Sequence, residues 1–140
     1  MVRILSSLTH FAQATHFLTF GRRCSMESDN DRIARIYHNL DPNDVDEILT
    51  PDFKGEHWGG SHTWDIASHR EYLQSGEKSD TIHEQFGQGE QVCTRFTRVF
   101  IHDGKEVSAD AIHVKQFRNG KIAHIWECVN HKQVEEQMSD

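Results

Sequence analysis

Four β-strands joined by tight turns are predicted for residues 80–131, DTIHEQFGQGEQVCTRFTRVFIHDGKEVSADAIHVKQFRNGKIAHIWECVNH. The turns are Gly87 to Glu90, Asp103-Gly104 and Asn119-Gly120, and the segments between them are rich in β-branched and aromatic residues. Asp-Gly and Asn-Gly are the strongest short signals of a β-hairpin, because these residues accept the positive φ angles of two-residue turns. The stretch therefore indicates an antiparallel meander.

Helices are predicted before this meander. Ser28, with Asp31 three residues later, resembles a capping box, and the apolar residues that follow recur at helical spacing over roughly 29–40. A proline at the start of the next apolar stripe predicts a short second helix over about 42–49.

A strand and a third helix complete the predicted elements. Residues 52–58 alternate like a strand, Asp65 is a suitable N-cap for a helix, and Gly76 is a suitable end for it. The last nine residues are predicted to be a polar tail. Three helices followed by a long curved sheet indicate an α+β domain in which the sheet wraps the helices and leaves a cone-shaped cavity.

Residues 1–25 differ in charge from residues 26–140. The first segment contains three arginines and no acidic residue, so the remainder carries 12 basic and 22 acidic residues. Three interpretations are open for this N-terminal extension: a secretory signal, an organelle transit peptide, or a frayed extension that precedes a true start at Met26. The last is favoured, and residues 26–140 are expected to form the single domain.

Composition excludes several classes of function. The formal net charge of −7 argues against nucleic acid as a partner, and no apolar stretch is long enough to span a bilayer. The three cysteines have no CxxC spacing, which argues against a disulfide framework or a thiolate metal site. A reducing compartment, the cytoplasm, is therefore expected.

The two faces of the meander follow from its turns. Two-residue turns would pair His102 with Lys105 and Arg118 with Lys121, and the same register would place His113 opposite Trp126. One face then contains Thr94, Phe96, Phe100, Val107, Ala109, Ala111, His113, His124, Trp126, Cys128 and Asn130. The other contains Val99, Ile101, Ile112, Val114, Ile125 and Val129, with Arg95, Asp110 and Glu127. Both faces are too apolar for exposure, so we expect one to cover the helices and the other to meet a second subunit in a homodimer.

Three segments resemble a known family. Residues 40–58 (LDPNDVDEILTPDFKGEHW), 87–100 (GQGEQVCTRFTRVF) and 117–130 (FRNGKIAHIWECVN) are similar to the SnoaL-like polyketide cyclase family, within the nuclear transport factor 2-like and ketosteroid isomerase-like superfamily. The resemblance implies a cone-shaped fold, a deep pocket and dimerisation through the sheet.

The resemblance also indicates candidate catalytic residues. His57 lies where ketosteroid-isomerase-like members place a carboxylate base, and His113 lies where they place an oxyanion partner. Asn130 lies four residues after Trp126, where SnoaL-like cyclases often have an acid. Because imidazole titrates near neutrality, one histidine can take a proton next to a carbonyl while the other donates to the enolate oxygen. The alternative is that both histidines are buried and bonded to the backbone.

The predicted ligand is a small, largely apolar molecule that is cyclic or carries a carbonyl. Thr94 and Asn130 are candidates to orient a ligand oxygen, Tyr37 to donate its hydroxyl, and Trp58 and Trp126 to form flat apolar walls. The spacing of His57, His62 and His69 matches no familiar metal-ligand set, and no metal or other cofactor is expected.

Two other functions remain open. Arg95, Asp110 and Glu127 resemble the acid-arginine-acid set of limonene-epoxide-hydrolase-like enzymes. The predicted register turns these three away from the pocket, where they form an interface or surface ion-pair cluster, unless a bulge in the first hairpin exchanges the faces. A non-catalytic ligand-binding or dimerisation module is the second alternative.

Overall fold

One six-stranded sheet organises residues 26–140, which are the residues that the computed structural model describes. The strands are β1 (Leu49–His57), β2 (Thr63–Asp65), β3 (Lys78–Gln88), β4 (Gln91–His102), β5 (Lys105–Arg118) and β6 (Lys121–Val129). Their order in the sheet is β2-β1-β6-β5-β4-β3, with every neighbouring pair antiparallel except β1 and β6. The predicted α+β fold is confirmed, and the interpretations of residues 1–25 lie outside the described residues.

The first three helices lie close to where the sequence signals predict them, and a fourth follows the last strand. They are α1 (Asp29–His38), a 3₁₀ turn (Pro42–Asp44), α2 (Val45–Ile48), α3 (Ile66–Ser75) and α4 (His131–Met138). The Ser28 side chain accepts a hydrogen bond from the Asp31 amide, and Asp65 forms a reciprocal capping box at the start of α3. Gly76, at φ 66°, ends α3. Within residues 26–140, no helix has both the length and the apolar character that crossing a membrane requires.

The predicted polar tail is wrong, because most of it forms α4. The Asn130 side chain caps this helix by accepting from the amide of Gln133. Strand β6 stops pairing with β5 at Ala111, so the preceding part of β5 has no strand on that side. The Gln137 side-chain amide fills the gap: its oxygen accepts from the amide of Ser108 at 2.8 Å, and its nitrogen donates to the Ser108 carbonyl at 2.7 Å. A glutamine side chain thus replaces a missing strand.

A β-bulge corrects the predicted register of the last strand. The pairs His102–Lys105 and Arg118–Lys121 are confirmed, but the register shifts by one residue between Gln116 and Phe117. His113 therefore lies opposite Glu127, and the predicted pairing with Trp126 is wrong. A one-residue shift moves every side chain of a strand to the other face. The predicted faces of β4 and β5 are correct, whereas those of β6 are reversed.

Glycine at position 55 allows β1 and β2 to approach closely. A Cβ atom at Gly55 would lie 1.9 Å from Cε2 of Trp64, its partner on β2. The Trp64 indole therefore lies directly over the strand and lines the cavity described below.

Gly55→Ala should lower the free energy of unfolding by about 1–3 kcal/mol, because the added methyl group forces Trp64 out of its position. Urea denaturation measures the change. The matched control is the same substitution in a Trp64→Ala background, where the clash is gone and the cost should fall toward zero. An equal loss of unfolding free energy in the two backgrounds would contradict a clash between position 55 and Trp64.

Candidate functional site

A cavity of about 530 Å³ lies between the helices and the inner face of the sheet. One part of its wall is polar and includes Tyr37, His57, His69, Arg98 and Glu127. Another part is apolar and consists of Phe100, Ala109, Ala111, Val129 and Val134. A volume of this size, with a few polar groups in an apolar wall, is typical of small-molecule sites.

The Glu127 carboxylate is the centre of the polar wall. Its Oε1 atom lies 2.9 Å from Nε2 of His57, and its Oε2 atom lies 2.5 Å from Nε2 of His113 and 3.2 Å from Nη1 of Arg98. The carboxylate is almost completely buried. Two imidazoles and a guanidinium therefore replace the water that an exposed carboxylate would bind.

Arg98 joins Glu127 to a second buried carboxylate. Its Nε and Nη2 atoms donate to the two oxygens of Asp80 at 2.7 and 2.9 Å. Lys78 lies 3.3 Å from the same carboxylate. The result is a buried ion chain, Asp80–Arg98–Glu127, that crosses from β3 through β4 to β6.

A second arm connects Asp80 to helix α1 and strand β5. His38 Nδ1 lies 2.8 Å from Asp80, and Lys115 Nζ lies 2.8 Å from Nε2 of the same ring. Burial favours the neutral acid at Asp80, but hydrogen bonds from Arg98 and His38 outweigh it and lower the pKa of the carboxyl group, so Asp80 is ionised. An ionised carboxylate can only accept, so His38 donates from Nδ1 to Asp80 and accepts from Lys115 at Nε2. Lys115 also donates to Thr94 at 3.0 Å.

Burial and pairing determine the charge of each group. Burial favours the neutral acid, but hydrogen bonds from His113 and His57 outweigh it and hold the pKa of Glu127 well below its usual range. Burial lowers the pKa of His113 to about 4 and the pKa of His69 to about 3, and it raises the pKa of Tyr37. At neutral pH, Glu127 is therefore ionised while these two imidazoles and the phenol are neutral.

The structure brings some of the predicted site residues together. His57 and Tyr37 line the cavity. His113 is fully buried and contacts Glu127 from behind the cavity wall. Thr94 is also fully buried, and its hydroxyl contacts Lys115 and Gln85.

The other predicted residues lie away from the cavity lining. Trp58 follows the end of β1 and is 71% exposed. The bulge turns Trp126 to the outer face, where its ring packs against His124. Asn130 caps α4 instead of lining the cavity. The two predicted tryptophan walls are thus absent from the cavity, and Trp64 lies there instead.

The predicted acid-arginine-acid set is divided between the two faces of the sheet: Arg95 and Asp110 lie on the outer face, as the predicted register has them, whereas Glu127 lies on the inner face. Arg95 forms an exposed ion pair with Glu84, and Asp110 is exposed and bonded to Thr97. On the inner face, Glu127 instead pairs with Arg98, which also pairs with Asp80. A signal for Arg98 was present in the sequence, because it alternates in phase with Thr94 and Phe96 on the inner face. Glu127 was predicted to lie on the outer face because the predicted register did not include the bulge.

Stability should depend on pH through the buried imidazoles. The folded-state pKa of His69 is lowered by burial to about 3, below the ordinary value of 6.5. Its contribution to stability is therefore complete above pH 6.5 and is lost as pH falls towards 3, because the unfolded state binds a proton that the folded state does not.

His69→Phe should flatten the loss of unfolding free energy between pH 6.5 and pH 4, as measured by urea denaturation. The buried Nε2 of His69 has no hydrogen-bond partner, so phenylalanine loses no bond there. His69→Gln is the control: it also cannot titrate, but it buries an unpaired amide and should be less stable than His69→Phe at pH 8. If the unfolding free energy falls as steeply with pH in both variants as in the wild type, a neutral His69 in the folded state is contradicted.

Solved structures with the same fold were found. A proposed SnoaL-like polyketide cyclase from Jannaschia sp. CCS1 superposes with a TM-score of 0.66 at 13% identity, over 84% of this chain and 96% of that one. A proposed polyketide cyclase from Acidithiobacillus ferrooxidans gives 0.64 at 16% identity, over 82% and 97%. TerC, co-crystallised with polyporic acid, gives 0.63 at 19% identity, over 81% and 100%. At these identities the similarity establishes the fold alone.

Comparison of sequences identifies the family. Among proteins with curated functions, none matches the chain. The family model described as a SnoaL-like domain matches residues 31–125, which include most of α1, all of α2 and α3, and most of the sheet. The chain therefore belongs to the SnoaL-like domain family.

Proposed function

We propose that the cavity binds a small, largely apolar cyclic ligand and that the protein transfers a proton next to a carbonyl of that ligand, as an isomerase or cyclase. The observation that carries this proposal is the pairing of His57, which lines the cavity, with the buried carboxylate of Glu127 at 2.9 Å. TerC, a structural neighbour, was co-crystallised with polyporic acid, which supports a small organic molecule as the ligand here.

His57 is the proposed base. Its Nε2–H donates to Glu127. Its Nδ1 atom therefore carries the free lone pair, which accepts a proton from the carbon next to the carbonyl. The negative charge of Glu127 stabilises the imidazolium that forms. The same proton can then return to a different carbon, which completes an isomerisation without a cofactor.

Arg98 and Tyr37 are the proposed partners of the enolate oxygen. Arg98 uses three of its five N–H groups on Asp80 and Glu127, which leaves two for a ligand. Tyr37 lines the same wall, and burial raises its pKa, so its hydroxyl keeps its proton. Fixed donors at a developing negative charge are usually the largest electrostatic contribution to such reactions.

His113 has a revised role in this proposal. The sequence suggested that His113, helped by Asn130, would contact the enolate. Because its Nε2 is bonded to Glu127 and its ring is fully buried, we assign it to positioning the carboxylate from the side opposite the ligand.

Hydrolysis of an epoxide is a second candidate. The chain Asp80–Arg98–Glu127 favours it, because a carboxylate held by an arginine can activate water while Tyr37 donates to the epoxide oxygen. A ligand-binding module without catalysis is the alternative from another class.

His57→Gln should reduce the exchange of the α-protons of 2-tetralone in D₂O by about 100-fold or more, because the general base is lost. Proton NMR measures the exchange. His124→Gln, the same change on the outer face of β6, should keep the wild-type rate. Binding of 2-tetralone is checked by thermal denaturation, since a ligand at 100 times its Kd adds about 2.7 kcal/mol of stability.

Each rival predicts a different result in this assay. Bound 2-tetralone with no exchange, together with conversion of cyclohexene oxide to its diol, would favour the hydrolase. Binding with neither reaction would favour the non-catalytic module. Equal exchange in wild type and His57→Gln would contradict His57 as the base.

We also propose that the outer face of the sheet pairs with a second copy of the chain. Val99, Ile112 and Phe86 are exposed apolar side chains on this face. An open sheet face that carries exposed apolar side chains is a candidate interaction surface.

Ile112→Asp should convert a dimer to a monomer in sedimentation velocity, because it buries an unpaired charge in the proposed interface. Ile36→Asp is the matched control, since Ile36 on α1 is 38% exposed and Ile112 is 43% exposed. A wild-type monomer, or a dimer that tolerates Ile112→Asp, would contradict the proposal.

A further inference from the structure

Helix α4 lines the cavity with two side chains: His131, whose ring lies 5.9 Å from that of His57, and Val134, which covers the apolar part. Val134 is the buried residue of this helix, at 8% exposure, and it lines the cavity. It packs in a small apolar cluster with Val107 and Ala109, against Phe100 and Val129. This cluster is separate from the main core, which lies around α1, α2 and β1.

The inner face of β5 runs from the polar part of the cavity wall, where His113 lies behind Glu127, to the apolar part. Moving along this face from His113, which contacts Glu127, the next inward residues are Ala111 and Ala109. Their small side chains leave space over the strand. Four residues of strand span about 13 Å at about 3.3 Å per residue, a length comparable to two or three fused six-membered rings.

Helix α4 is held in place by polar contacts with the strand that it covers. Gln137 bonds to both backbone groups of Ser108, and Gln133 accepts from the amide of Asp110 at 2.7 Å. The Asn130 amide adds a bond to the Asp110 carbonyl at 2.9 Å. These bonds fix the position of the helix along β5, and with it the position of Val134 over Ala109.

We propose that Val134 determines ligand specificity by limiting how long a ring system the cavity accepts. The inference rests on the proposed ligand-binding function. A planar ligand of two or three fused rings places its oxygen at His57 and Arg98 and its far edge against Val134. The substrate class is therefore a fused-ring enolisable ketone or its phenolic analogue.

The test measures binding of phenol, 2-naphthol and 2-hydroxyanthracene to the full chain by fluorescence or calorimetry. Val134→Trp should weaken 2-hydroxyanthracene at least tenfold more than phenol, because the indole occupies the far end of the cavity. Val134→Ala should leave phenol unchanged and bind 2-hydroxyanthracene more tightly than wild type, because the smaller side chain leaves more room at that end of the cavity. Glu135→Trp adds the same ring to an exposed position of α4 and should match wild type for all three compounds.

The outcomes separate this inference from the proposed function. Equal changes for all three compounds in Val134→Trp, or no change in either Val134 variant, would overturn the specificity role. Val134→Ala tests the same claim in the opposite direction if the tryptophan variant fails to fold. A wild type that binds none of the three compounds would instead overturn the ligand-binding function. A wild type that shows no α-proton exchange, while the Val134 variants still change binding according to ring number, would overturn only the proposed proton transfer.

Discussion

The bridge that Arg98 forms between two buried carboxylates is the interaction on which the site depends. Asp80 and Glu127 would each be costly to bury alone, by several kcal/mol, and Arg98 contacts both. Burial lowers the pKa of Lys78 only to about 8, so this lysine adds a second positive charge beside Asp80 at neutral pH. The two negative groups, Asp80 and Glu127, are therefore matched by two positive groups, Arg98 and Lys78. Burial holds the pKa of Lys115 well below its usual range.

The bulge between Gln116 and Phe117 turns Glu127 to the inner face, where its ion pair with Arg98 lines the cavity. Without the bulge, Glu127 would face outward with Cys93 and Val114, and Trp126 would lie opposite His113. A single extra residue therefore decides whether the inner face carries a carboxylate or an indole. Bulges are common beside functional sites for this reason, because they redirect a side chain without changing the strand order.

Local signals in the sequence were sufficient for most of the fold. The helix caps at Ser28, Asp65 and Gly76 each depend on contacts within one helical turn. The Asp-Gly and Asn-Gly turns depend on two residues each. Such features can be predicted from residues that are adjacent in the sequence. The bulge depends on how a whole strand packs, and α4 depends on contacts between glutamines and a strand about 29 residues earlier. Asp80 and Arg98 meet across neighbouring strands, so the candidate site was predicted only where alternation or family resemblance indicated it, as for His57.

The environments of the histidines explain why His57 is the one suited to proton transfer. His38 and His113 contact buried carboxylates, yet burial lowers their pKa values to about 2 and about 4, and neither lines the cavity. His69 lines the cavity but has no carboxylate partner, and its Nε2 is unpaired. Among the histidines of the described residues, His57 alone combines contact with a buried carboxylate and access to the cavity. A base must meet both conditions, because it has to reach the ligand and also be stabilised once it carries the proton.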